Sequence, residues 1–124
     1  MRVLVVGKGG REHAIARALS LSPSVNEVHA VPGNIGMRGH IVTHNLSTAN
    51  FRELLHLIKK INIDLVIVGP EAEIADGLSD FLRDENILTF APSQQASQLE
   101  ASKVFSKEFM SRAGVPTARY KVVK

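Results

Sequence analysis

Hydrophobic positions along the 124 residues alternate between two spacings. Short apolar runs at Val3 to Val6, Glu27 to Val31 and Asp64 to Val68 are rich in β-branched residues, as strands covered on both sides are. Shorter candidates lie at His40 to Thr43 and Ile87 to Phe90. Between the runs the spacing becomes helical. Ala14, Ile15, Ala18 and Leu19 mark a helix over Arg11 to Leu21, with Pro23 after its stop. Asn50 and Glu53 form a capping box ahead of a helix that buries Phe51, Leu54, Leu55, Ile58 and Ile61. Ile74, Leu78, Phe81 and Leu82 mark the next helix. Ser97 and Glu100 form a second capping box before a helix carrying Phe105, Phe109 and Met110, which Gly114 and Pro116 close.

Strand and helix in alternation predict an α/β fold: a Rossmann-like open parallel sheet of five strands with helices on both faces. Such sheets bind ligands beyond the carboxyl ends of their strands, where the strand order switches. The loops at Gly7, Pro32, Gly69 and Ala91 are therefore the ones to read for chemistry.

Composition narrows the class. With 44% hydrophobic and 22% charged residues, the length suits one domain and not two. The longest apolar run, Asp64 to Gly69, falls far short of the roughly 18 residues of a membrane span. The N-terminus carries no small-residue cleavage site, which predicts a cytoplasmic protein. Without cysteine there is no disulfide, thiolate nucleophile or cysteine-bound zinc. The net charge of +3 is uneven: nine Lys and Arg face eleven Asp and Glu through residue 100, and six face one after it. Aromatics are 5% and do not interleave with a basic stripe, so neither nucleic acid nor a membrane is an expected partner.

Gly7-Lys8-Gly9-Gly10-Arg11-Glu12-His13 follows a strand and opens a helix, where glycines let backbone N–H groups and the helix dipole meet an anion. A tight βα turn would use the same glycines. The dinucleotide pattern is incomplete, because Glu12 takes the place of its third glycine and no acid ends the second strand. Glu12 reads simply as an acid suited to a first helical turn, and His13 as a solvated or capping side chain. Pro32-Gly33-Asn34-Ile35-Gly36 lengthens the second loop. Glu71 emerges where a strand ends, placed either to accept from a ligand amine or hydroxyl or to complement a helix dipole. The five histidines have no metal-ligand spacing, although His40 and His44 would share a face on a helix, and no Ser-His-Asp arrangement supplies a nucleophile. Lys103 and Lys107 sit one helical turn apart, as a solvated face would place them.

Taken in order, Gly7-x-Gly-Gly-Arg-Glu-His-Ala14, Pro32-Gly-Asn-x-Gly36, Val68-Gly-Pro-Glu-Ala72 with Gly77 and Asp80, Ala91-Pro-Ser93, the segment Leu99 to Phe109 around Ser102-Lys103, and Pro116-Thr-Ala118 closely resemble the N-terminal part of the glycinamide ribonucleotide synthetase (phosphoribosylamine-glycine ligase) family. The resemblance implies a pre-ATP-grasp domain of an ATP-grasp ligase. That ligase joins glycine to 5-phosphoribosylamine in purine biosynthesis, using ATP and magnesium or manganese. Family members are considerably longer. The resemblance therefore implies a substrate-binding domain over 1–98 and a helix and linker over 99–124 leading into ATP-grasp domains absent from this chain, which alone binds without ligating and holds no cofactor. Position by position, Gly9, Gly10 and Arg11 border the phosphoribosyl group, Asn34 lines its pocket, Glu71 faces the ribose or the amine, and Lys103 reaches ATP phosphates. Lys8, Glu73 and Ala91 depart from the family pattern. Two other readings are a dinucleotide-dependent oxidoreductase domain and a stand-alone nucleotide-sensing module.

Overall fold

Val3 to Val6 are completely buried in β1 (Arg2–Gly7), which pairs on both sides. In this computed structural model, which describes residues 1–123, its parallel partners are β2 (Glu27–Pro32) and β4 (Leu65–Val68). The edges are β3 (Val42–Thr43) beside β2 and β5 (Thr89–Phe90) beside β4, so the five-stranded order is β3-β2-β1-β4-β5. Every pairing is parallel, as the run of β-branched residues predicts.

Successive side chains of a strand face opposite ways, and β1 feeds two cores. Val5 packs with Val28, Ala30, Met37 and Ile41 beneath α1 (Gly10–Ser20). Leu4 and Val6 pack with Val31, Val66 and Val68 against α2 (Phe51–Lys60), α3 (Glu71–Ala75) and α4 (Leu78–Asp84), through Leu54, Ile58, Ile74, Leu78 and Leu82. Each fully buried leucine contributes about 1.5–3 kcal/mol from burial. Beyond β5, α5 (Gln94–Ala101) packs on α3, and α6 (Lys103–Arg112) on α5. No helix is long and apolar enough to cross a membrane among the described residues.

Local detail departs from the sequence reading at several points. Glu12 and Ala16 are the buried residues of α1, Ile15 and Leu19 are half-buried, and Ala14 and Ala18 are exposed. The apolar stripe is rotated because one of its members is a carboxylate. The helix expected through Ile74 and Leu82 is two helices, since Gly77 adopts φ +93, a left-handed conformation that breaks the turn between α3 and α4. The last strand is confined to Thr89–Phe90, at an edge with one partner. Ser97 is no cap: it is buried within α5, its hydroxyl donating to the Gln94 carbonyl at 2.7 Å. Ser93 caps α5 by accepting from the Ala96 N–H at 3.1 Å, and Ser102 caps α6 by accepting from the Phe105 N–H at 3.2 Å. The division expected between residues 98 and 99 falls inside α5.

Candidate functional site

Strands β2 and β3 lie on one side of β1 and β4 and β5 on the other, so the order reverses between β1 and β4. The loops Gly7-Lys8-Gly9 and Gly69-Pro70 leave the carboxyl ends of those two strands side by side, where open α/β sheets bind ligands. Backbone bonds knit the ends together: the Gly69 N–H donates to the Val6 carbonyl at 3.2 Å, and the Gly33 N–H to that of Gly7 at 3.1 Å.

Glu12 sits between these loops, 4% exposed. It accepts from the Gly9 N–H at 2.8 Å and from Arg11 Nε at 3.0 Å. A Cβ on either Gly7 or Gly69 would approach Glu12 Cγ to 2.5 Å. The two glycines therefore make room for a carboxylate where the dinucleotide pattern has a third glycine. The sequence carried a signal for this, in the helical spacing of Glu12 to Ala16 and in glycines ending both central strands.

Arg11 joins the loops from above. Its Nη1 donates to Glu71 Oε1 at 3.1 Å, and its Nη2 donates to the Gly69 carbonyl. Glu71 and Glu12 raise the Arg11 pKa further, while the Glu71 carboxyl is held below its usual value first by its own backbone N–H and then by Arg11. Asn34 links the second loop to the first: its Nδ2 donates to the Lys8 carbonyl at 3.0 Å, and its Oδ1 accepts from the Gly36 N–H at 2.9 Å. His13, expected in solvent or at a cap, is half-buried against that loop, where a Cβ on Gly36 would meet its Cε1 at 2.7 Å.

A cavity of about 380 Å³ opens at this point, lined by Gly7, Lys8, Gly9, Glu12, Pro32, Thr48, Pro70 and Glu73. Thr48 donates its hydroxyl to Glu73 Oε1 at 2.7 Å. Across Pro32 a second hollow of about 430 Å³ is lined by Asn34, Arg38, Thr43 and Asn45 among others. Of the expected site residues, Gly9 lines the first cavity and Asn34 the second, while Gly10 stands exposed at the start of α1. Arg11 and Glu71 pair with each other at the exposed rim of the crevice. Lys103 is elsewhere, in a groove with Val104, Lys107 and Tyr120. Sequence reasoning named Lys8 as a departure that adds positive charge near the phosphate and Glu73 as a departure and a helix N-terminal acid, and did not single out Thr48.

His40 and His44 share no helix: His44 follows β3 and meets buried His29, Nε2 to Nδ1, at 2.9 Å. Among the described residues no three His, Asp or Glu side chains gather to hold a metal. The arrangement at the switch can hold an anion by first-turn amides and a lysine, and can accept from a ligand N–H or O–H at a carboxylate.

The family model described as phosphoribosylglycinamide synthetase, N domain, matches residues 1–100. The phosphoribosylamine–glycine ligase of Streptomyces coelicolor is 44% identical over 119 residues, which are 96% of this chain and 29% of that protein. The enzyme of the same name from Rhizobium meliloti is 43% identical over 121 residues, 98% of this chain and 29% of its own length. The crystal structure of the phosphoribosylamine–glycine ligase from Thermotoga maritima superposes with a TM-score of 0.72 at 32% identity, covering 96% of this chain and 26% of that one. The chain thus spans less than a third of the length of these relatives.

Proposed function

Because the chain belongs to the phosphoribosylglycinamide synthetase N-domain family, we propose that its crevice binds 5-phosphoribosylamine for an ATP-dependent ligation to glycine that yields glycinamide ribonucleotide. The observation that carries this reading is the position of the cavity, at the β1–β4 switch and under a glycine loop that opens an 11-residue helix. In this reading the phosphate lies against Gly9, Gly10 and Lys8, Asn34 fixes the second loop around the sugar, and Glu71 with Arg11 braces the wall nearest the amine. A ligand phosphate competes with Glu71 for the Arg11 guanidinium, so Arg11 is either a brace or a phosphate ligand according to occupancy.

The contribution of such a domain to catalysis is positioning, because holding the amine in line with an activated glycine removes the entropy cost of their encounter. We place the activation of glycine by ATP, with magnesium or manganese, in sequence beyond the 1–98 domain, in ATP-grasp domains to which 99–124 leads and toward which Lys103 offers its ammonium. Among the described residues no cluster of His, Asp or Glu gathers to hold a metal. As part of a biosynthetic ligase acting on soluble metabolites, the protein is assigned to the cytoplasm.

Titration of the 124-residue chain with glycinamide ribonucleotide, followed by amide NMR, tests this function. Shifts are expected at Gly9, Gly10, Arg11, Asn34 and Glu71. A spectrum unmoved at millimolar ligand would overturn it, and saturable binding of NAD in its place would favour a dinucleotide site.

A further inference from the structure

Lys8 and Glu73 line one cavity with opposite charges, and among the described residues neither is in an ion pair. Glu73 begins in the first turn of α3 and is half-buried. Its Oε1 is fixed by the Thr48 hydroxyl at 2.7 Å, a bond that crosses from the segment after β3 to the start of α3 and leaves Oε2 for another donor. Lys8 has its carbonyl pinned by Asn34 at 3.0 Å, which holds the backbone from which its ammonium extends. Two unpaired opposite charges facing one small cavity favour a ligand that brings its own pair in the reverse order.

We infer that Lys8 and Glu73 are specificity-determining residues of this cavity. Lys8 takes the phosphate of a sugar phosphate, and Glu73, positioned by Thr48, accepts from an N–H on the nitrogen at the other end of the sugar. This rests on the substrate reading above and adds to it the group that tells a sugar phosphate with an N–H donor at C1 from one with no donor there. Glu71, turned to Arg11, does not provide that reading; Glu73 does. Glu73→Gln removes the charge and leaves one carbonyl oxygen where the Thr48 hydroxyl and the ligand N–H both need an acceptor.

Calorimetric titration of the chain with glycinamide ribonucleotide and, separately, with 1-deoxyribose 5-phosphate, which has no donor at C1, tests this, with amide NMR confirming that each variant is folded. Glu73→Gln is expected to weaken glycinamide ribonucleotide by about tenfold or more and to leave 1-deoxyribose 5-phosphate unchanged, as loss of one charge-assisted hydrogen bond predicts. Thr48→Val should weaken the same ligand several-fold by releasing Glu73. Lys8→Gln should weaken both ligands and flatten their salt dependence. The inference is overturned if Glu73→Gln weakens both ligands alike, or neither, while wild-type binding persists. If wild type binds neither ligand, the substrate reading itself fails, and this one with it.

Discussion

An ideal Cβ on Gly69 falls 2.5 Å from Oε1 and Cγ of Glu12, so a buried carboxylate from α1 occupies the volume that a side chain on the β4 loop would need. Gly69→Ala therefore should destabilise the fold by about 1–3 kcal/mol, the usual cost of overpacking. In a Glu12→Ala background the clash is gone, and a double-mutant cycle in urea should return a coupling of about 1 kcal/mol or more. Equal costs in the two backgrounds would contradict the geometry. Gly7→Ala should stay costly in either background, because Gly7 has φ +130.

Glu12→Gln keeps the shape but places an NH₂ toward either the Gly9 N–H or Arg11 Nε, both of which donate. A loss of about 1–3 kcal/mol is expected from the unmade bond to a buried charged group. The urea midpoint should move much less for Glu71→Gln, since Glu71 is exposed.

These two positions also show where sequence reading stops. The sheet, its parallel sense and the crevice were legible because β-branched runs and terminal glycines reflect burial and backbone conformation directly. The orientation of α1 was not, because the stripe Glu12, Ile15, Ala16, Leu19 includes a charge, and hydrophobic periodicity counts a buried carboxylate as an outward residue. Arg11 and Glu71 could be named singly from their loops. Their pairing across 60 positions could not, since only the strand order brings those loops together. Ser97 reads as a cap because Glu100 follows it at capping-box spacing, whereas backbone geometry makes Ser93 and Ser102 the residues that accept.

Acidification should weaken the edge of the sheet through His44. Burial, and then the neighbouring His29, holds its pKa below the ordinary 6.5, with Glu27 opposing. The folded protein thus binds fewer protons than the unfolded chain between the lowered value and 6.5, and this contribution is complete above 6.5 and declines as pH falls through that window. Thermal melts from about pH 7.5 to about 5, compared with His44→Gln, should show a steeper decline in wild type; parallel curves would remove His44 as the cause.

The Glu71 carboxyl should titrate below its ordinary 4.5 when followed by carboxyl-carbon NMR. Arg11→Ala should move it only part of the way back, because the first cause of the depression is its own backbone N–H. A full return would assign the whole effect to Arg11, and no return would break the ion pair seen at 3.1 Å.

Burial separates two apolar residues that sequence treats alike. Leu54 is 0% exposed and Phe90 72%. Leu54→Ala should cost about 2–5 kcal/mol and Phe90→Ser less than about 0.5 kcal/mol, as measured by chemical denaturation. A comparable loss at Phe90 would show that this edge is covered in solution.

The central position of β1 sets an order of events during synthesis. Of the five described strands β1 is made first and needs partners on both sides, and one of them, Leu65–Val68, is made some sixty residues later. Until then β1, β2 and β3 form a sheet with a bare edge along the most apolar strand of the chain, which invites pairing with other chains. Neither Glu12 nor Arg11 has its companion at Gly69 or Glu71 before that point. The crevice at the β1–β4 switch therefore comes into being late and all at once, when β4 docks, and conditions that slow the emergence of residues 65–71 should expose the nascent chain to aggregation more than delays anywhere after them.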